Sequence, residues 1–196
     1  MRVRMVAVAV AGFLLGGVAF AVPITYSFQG TGSGTIGATP FSGASFTITV
    51  TADTDGITAY APGILYNPAI TSTILIAGVG TATFTDAKQV LVAQPVSAVG
   101  FEQSGGFNLL DVHNSIFATY DLASPIAPAF DPAPTPVDQF SNIPTTLGAL
   151  TFTSYQNTTF TTSAVGSAIP TLSPAGLAAL GLLVLVAGAV LLRRIA

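Results

Sequence analysis

The chain has 196 residues, a formal net charge of −3 and no cysteine. Between the two ends its only basic residue is Lys88, set against Asp53, Asp55, Asp86, Glu102, Asp111, Asp121, Asp131 and Asp138. That balance excludes a nucleic-acid-binding surface, and the missing thiols exclude disulfides, thiolate metal sites and a lipoprotein anchor.

Met1-Arg2-Val3-Arg4 places positive charge ahead of an apolar run from Met5 to Phe20, and Ala19-Phe20-Ala21 supplies small residues at the −3 and −1 positions. This pattern predicts a signal peptide over 1–21, with Ala19 and Ala21 marking cleavage before Val22. The expected partners of that segment are the Sec translocon and a signal peptidase.

The next stretch, 22–163, reads as one all-β domain. Ile24-Thr25-Tyr26-Ser27-Phe28 alternates apolar and polar residues, and Gly30-Thr31-Gly32-Ser33-Gly34 follows as a predicted flexible turn. Ala44 to Thr51 alternates again, with Phe46, Ile48 and Val50 on one face, and Asp53-Thr54-Asp55-Gly56 closes that strand. Thr71 to Ile76 and Gly80 to Thr85 form the next predicted pair. Further candidates are Val90 to Val92, Val96 to Phe101, Phe107 to Val112 and Ile116 to Leu122, with a turn at Asp86-Ala87-Lys88. Leu147 to Tyr155 and Thr158 to Ser163 are expected to pair across a turn at Gln156-Asn157. Short alternating strands between frequent turns predict an antiparallel β-sandwich, jelly-roll or Ig-like. Ser124 to Pro144 carries Pro125, Pro128, Pro132, Pro134, Pro136 and Pro144, and is expected to be a long surface loop over 124–144.

Few residues of this body offer chemistry. His113, in Asp111-Val112-His113-Asn114-Ser115, is the only histidine. Asp111 and His113 would share a strand face, but no Gly-x-Ser-x-Gly elbow accompanies them, so His113 is expected to be a turn or surface residue. Asp53 and Asp55 sit too close together, with no later glutamate, for a calcium loop, and a turn accounts for them. Gly30, Gly32 and Gly34 have no helix or cation beside them to make a phosphate loop. Tyr26, Phe28, Phe41, Phe46, Phe84, Phe101, Phe107, Phe117 and Tyr120 read mainly as core, with a sugar-stacking platform as the alternative. Asn157-Thr158-Thr159 matches the N-glycosylation triplet. No catalytic residue, cofactor or metal ligand is predicted, and the expected protein is not an enzyme.

After a spacer at 164–168, the chain runs Ile169-Pro170-Thr171-Leu172-Ser173-Pro174-Ala175-Gly176 and then stays apolar from Leu177 to Leu192, before Arg193-Arg194. Residues 175–192 lack charge and proline, and at ~1.5 Å per residue predict a transmembrane helix of ~27 Å. Arg193 and Arg194 would remain cytoplasmic and orient the body outward. Pro170 and Pro174 would keep 169–173 extended, the form in which a protease or transpeptidase binds a peptide.

Ile169-Pro170-Thr171-Leu172-Ser173 with the following span and Arg193-Arg194 resembles the IPTL-CTERM sorting signal, a variant of the PEP-CTERM family. Where that signal usually continues Glu-Trp-Gly, this chain has Pro174-Ala175-Gly176. The resemblance covers 169–196. It implies recognition by an exosortase-type membrane transpeptidase, an inner-membrane intermediate, and delivery to the cell surface or exopolysaccharide matrix of a Gram-negative bacterium. The body is also similar to β-rich PEP-CTERM exported domains around Tyr26-Ser27-Phe28, Phe46-Thr47-Ile48 and Gly80 to Thr85. The expected function is therefore a non-enzymatic, exported surface or matrix protein. A carbohydrate- or calcium-binding module and a secreted hydrolase are the alternatives.

Overall fold

The computed structural model describes residues 22–133 and 139–164. The chain divides into two units, Met1–Val165 and Gly166–Ala196, and all described residues belong to the first. The signal peptide, part of the Pro-rich loop, nearly all of the spacer, the sorting motif, the span and the two arginines lie outside the described residues. Among the described residues no helix is long and apolar enough to cross a membrane.

The described residues form twelve strands: β1 Pro23–Ile36, β2 Thr39–Asp53, β3 Thr58–Ala61, β4 Ile64–Pro68, β5 Thr71–Ile76, β6 Gly80–Thr83, β7 Lys88–Ala93, β8 Ala98–Gln103, β9 Phe107–His113, β10 Ile126–Asp131, β11 Ile143–Thr145 and β12 Gly148–Ala164. All pairings are antiparallel. One sheet runs β10-β12-β1-β2-β5-β6, with β11 also on β12, and the other runs β3-β4-β7-β8-β9. The described residues are all-β, and their two sheets share one core in a sandwich-like arrangement. Phe28 of β1 and Phe101 of β8 meet across it at 6.1 Å between ring centroids. Phe160 of β12 adds a ring 5.0 Å from Phe28.

The alternation in β1 holds for Ile24, Tyr26 and Phe28, all buried, but does not end there. Gly30-Thr31-Gly32-Ser33-Gly34 is not a turn; β1 continues through it to Ile36. The three glycines fall on the inward row, and rings from neighbouring strands lie over the backbone of Gly30 and Gly32. A Cβ at Gly30 would come 2.9 Å from the Phe46 ring, and one at Gly32 would come 2.7 Å from the Phe152 ring. A Cβ at Gly34 would meet the Thr151 carbonyl oxygen at 2.0 Å. Glycine here marks close approach of ring to backbone and bulged pairing, not flexibility.

Those bulges correct a second expectation. Leu147–Tyr155 and Thr158–Ser163 are not a hairpin, because β12 is continuous over 17 residues. Its register with β1 shifts opposite Gln29/Thr31 and again opposite Ser33/Gly34. Asn157 takes φ 55° at the first irregularity, a conformation asparagine tolerates better than most residues. Each bulge flips the inward parity, so Phe152, Tyr155 and Thr158 are all buried at odd spacing.

Three further segments differ from the sequence reading. Ile116–Leu122 is not a strand; Ser115–Thr119 forms a 3-10 helix capped by the Asn114 side chain, and Phe117 and Tyr120, three apart, point into the core. Ser124–Pro144 is not all loop, since β10 and β11 lie within it. Pro128 is accommodated because β10 is an edge strand and its pairing with β12 shifts at that point. Strands β3 and β4, joined at Pro62-Gly63, were not anticipated.

Three of the strands at sheet edges, β6, β9 and β10, are tied. β6 leads into Phe84, which bridges Thr145, and Thr146 N–H donates to Thr83 O at 2.9 Å. On the opposite side Asp131 of β10 accepts the His113 N–H of β9 at 2.8 Å, tying one sheet to the other. Tied edges of this kind limit strand addition by other chains.

Candidate functional site

The outward face of the five-stranded sheet follows from its register. In β7, Val90 and Val92 are buried, while Gln89 and Leu91 point outward. Leu91 lies between Tyr66 of β4 and Gly100 of β8, and Gly100 pairs with Asp111 of β9. The adjacent row is Gln89, Glu102 and Asn108. Tyr60 on edge strand β3 and Gly105-Gly106 in the β8–β9 turn wall the ends. Tyr60, Ile64, Tyr66, Gln89, Leu91, Glu102 and Gly105-Gly106 line an open groove of about 520 Å³, inside the roughly 300–1,000 Å³ range of small-molecule sites, with Gly100, Asn108 and Asp111 beside it on the same sheet face.

The floor of the groove is polar although its walls are aromatic and apolar. Glu102 is only 6% exposed, and its Oε2 accepts a hydrogen bond from Gln89 Nε2 at 2.9 Å. Beside it, Asn108 Nδ2 donates to Asp111 Oδ2. Gly100 makes room for this pair, since a Cβ there would come 2.8 Å from Asp111 Oδ1. Burial pushes the Glu102 carboxyl up from its ordinary range, the Gln89 hydrogen bond opposes the shift, and the Asp111 charge adds to it. The Asp111 carboxyl is raised for the same first reason, with Asn108 and His113 working against it. Asn108 Oδ1 is buried and accepts no hydrogen bond.

The one lysine of the body is adjacent in sequence but points the other way. Lys88 falls in the inward series of β7, is 2% exposed, pairs with Asp86 and lies 5.2 Å over the Phe84 ring. Lys88 is therefore a strand residue, not part of a surface turn, and burial lowers its pKa against the opposing pull of Asp86. No Lys or Arg side chain is exposed among the described residues.

The other candidates resolve individually. Asp111 and His113 do lie on one face, but the imidazole contact is with Asp131, Nδ1 to Oδ2 at 3.4 Å. Among the described residues no serine hydroxyl bonds His113, whose side chain is 52% exposed. Asp53 caps the 3-10 turn Thr54–Gly56 by accepting the Asp55 N–H. Among the described residues no group of three His, Asp or Glu side chains converges to hold a metal. The aromatic residues singled out are buried as expected, except Phe107, which is 61% exposed.

Tyr60, Tyr66, Gln89, Glu102 and Asn108 escaped the sequence reading. No local motif marks them, because they converge only through the register of neighbouring strands. Fold and site define a two-sheet all-β body with an aromatic groove lined by one carboxylate, and with no exposed Lys or Arg among the described residues. No family model matches the chain, and neither curated proteins nor solved structures yield a similar one.

Proposed function

We propose that the chain is a non-enzymatic exported protein with a β-sandwich body, jelly-roll or Ig-like, delivered to the cell surface or exopolysaccharide matrix of a Gram-negative bacterium. In this reading the Sec machinery exports it, signal peptidase cuts after Ala21, and the 175–192 span halts it in the inner membrane. An exosortase-type transpeptidase then acts at Ile169–Ser173, with Arg193 and Arg194 fixing orientation. The observation that carries the reading is the distribution of cations. Four of the five Lys and Arg residues sit in the two terminal segments, and the fifth, Lys88, is buried in the core. Positive charge thus occurs where targeting uses it and is withheld from the body's surface.

Intact mass spectrometry of the protein from inner-membrane, surface and medium fractions tests this. The surface form should begin at Val22 and lack the 175–192 span. A mature extracellular form that retains the span would overturn the sorting step, and a form beginning at Met1 would overturn the signal peptide. Deleting Arg193-Arg194, or replacing Ile169–Leu172 with alanines, should hold full-length protein in the inner membrane.

A further inference from the structure

We propose that the outward face of the five-stranded sheet binds a segment of uncharged polysaccharide in the Tyr60–Tyr66–Glu102 groove. The inference concerns the body rather than its delivery, and it stands or fails independently of the tail.

Four observations converge. The groove is open and lies on a sheet face, so an extended polymer can lie along it without threading. Tyr60 is 79% exposed at one end, and Tyr66 and Leu91 are neighbours on the same face, giving the flat apolar surface against which the C–H face of a pyranose ring packs. The lining offers the Glu102 carboxylate already oriented by Gln89. That carboxylate keeps further lone pairs for a donor, and the Gln89 amide beside it has its carbonyl oxygen as a second acceptor. Hydroxyl groups supply such donors at the density a sugar chain provides. Finally, no exposed Lys or Arg is present among the described residues.

The same features exclude other occupants. A polyanion would meet Glu102 with no cation to compensate. An apolar peptide or helix would cover that carboxylate without supplying donors, and a buried unpaired charge is costly. A hydroxyl-rich, uncharged chain satisfies the floor and the walls together.

The test uses the full chain purified in detergent, titrated calorimetrically with cellohexaose, laminarihexaose and mannohexaose, and with polygalacturonate and a chitosan hexamer as charged comparisons. At least one neutral hexasaccharide should bind saturably. Tyr60→Ala and Tyr66→Ala should each weaken that binding by about three- to ten-fold, matching the loss of one stacking contact. Tyr60→Phe should stay within about two-fold. Glu102→Gln should weaken binding by about ten-fold through loss of a charge-assisted hydrogen bond, while its melting temperature at pH 7 is no lower than the parent value. The proposal is overturned if none of the three neutral sugars binds, if binding ignores both tyrosine substitutions, or if polygalacturonate or chitosan is preferred. Shortening of the bound sugar would overturn a binding-only role and make the groove hydrolytic.

Discussion

Tyr26→Phe removes a single oxygen atom that the two sheets share. Tyr26 lies in β1, fully buried; its hydroxyl donates to the Leu122 carbonyl at 2.7 Å and accepts from Asn67 Nδ2 of β4 at 2.8 Å. Phenylalanine keeps the ring and its stacking against Phe160, so the change isolates the hydrogen bonds. Asn67 and Leu122 are both 0% exposed, which leaves the freed amide and carbonyl without access to water. Asn67 Oδ1 is already without a partner. Two orphaned buried groups at roughly 1–3 kcal/mol each, partly relaxed, predict a loss of about 2–4 kcal/mol. With a urea slope of about 2 kcal/mol/M, the unfolding midpoint should fall by about 1–2 M. Asn67→Ala should cost less in the Tyr26→Phe background than alone, because the pair acts as a unit. A loss below about 0.5 kcal/mol with an unchanged slope would refute the reasoning. The same phenol has its pKa pushed up to about 12, first by burial. Because its folded pKa exceeds the unfolded value near 10, stability should decline as pH rises from about 10 toward 12.

Further expectations follow from the core and the groove. Gly34→Ala, which drives a Cβ onto the Thr151 carbonyl, should cost about 3 kcal/mol or more, measured by thermal unfolding, whereas Gly43→Ala meets no neighbour within 4 Å and suffers only from its φ of 57°. Glu102 and Asp111, both raised by burial, bind protons more tightly when folded, so their penalty is fully present above the folded pKa values and is relieved as pH falls toward the unfolded ones. Lowering the pH from neutrality into the carboxyl range should therefore raise this contribution to the transition temperature in melting scans, and Glu102→Gln should diminish it. Asp86→Ala strands the Lys88 ammonium, whose side chain is 0% exposed, and should cost about 3 kcal/mol or more. Adding Lys88→Met to that variant should recover part of the loss in the same denaturation assay.

The strands whose side chains alternate between one core face and one solvent face were readable in advance. Ile24–Phe28, Ala44–Thr51 and Thr71–Ile76 all sit where their period-two pattern places them. The pattern failed where a ring from another strand replaced a side chain. Gly30, Gly32 and Gly34 keep the period, but what crowds them comes from β2 and β12, the Phe46 and Phe152 rings and the Thr151 carbonyl, so a turn was the natural local reading. Asn157 misled for the related reason that a residue suited to turns also suits a bulge. Pro128 suggested a loop because edge position is a property of the sheet, not of the segment. The groove was invisible for the same cause: Tyr66, Leu91, Gly100 and Asp111 share a row only once four strands are paired.

The burial of Lys88 has a consequence for proteolysis. Proteases of tryptic specificity cut after Lys or Arg, and Lys88 is the only such residue from Met5 to Leu192. Its bond to Gln89 lies within β7, hydrogen-bonded between β4 and β8. The folded body therefore presents these enzymes with no accessible cleavage site, and the same burial hides its one side-chain amine from acylating reagents. Cleavage becomes a measure of opening: at low protease its rate reports how often the sheet comes apart at β7.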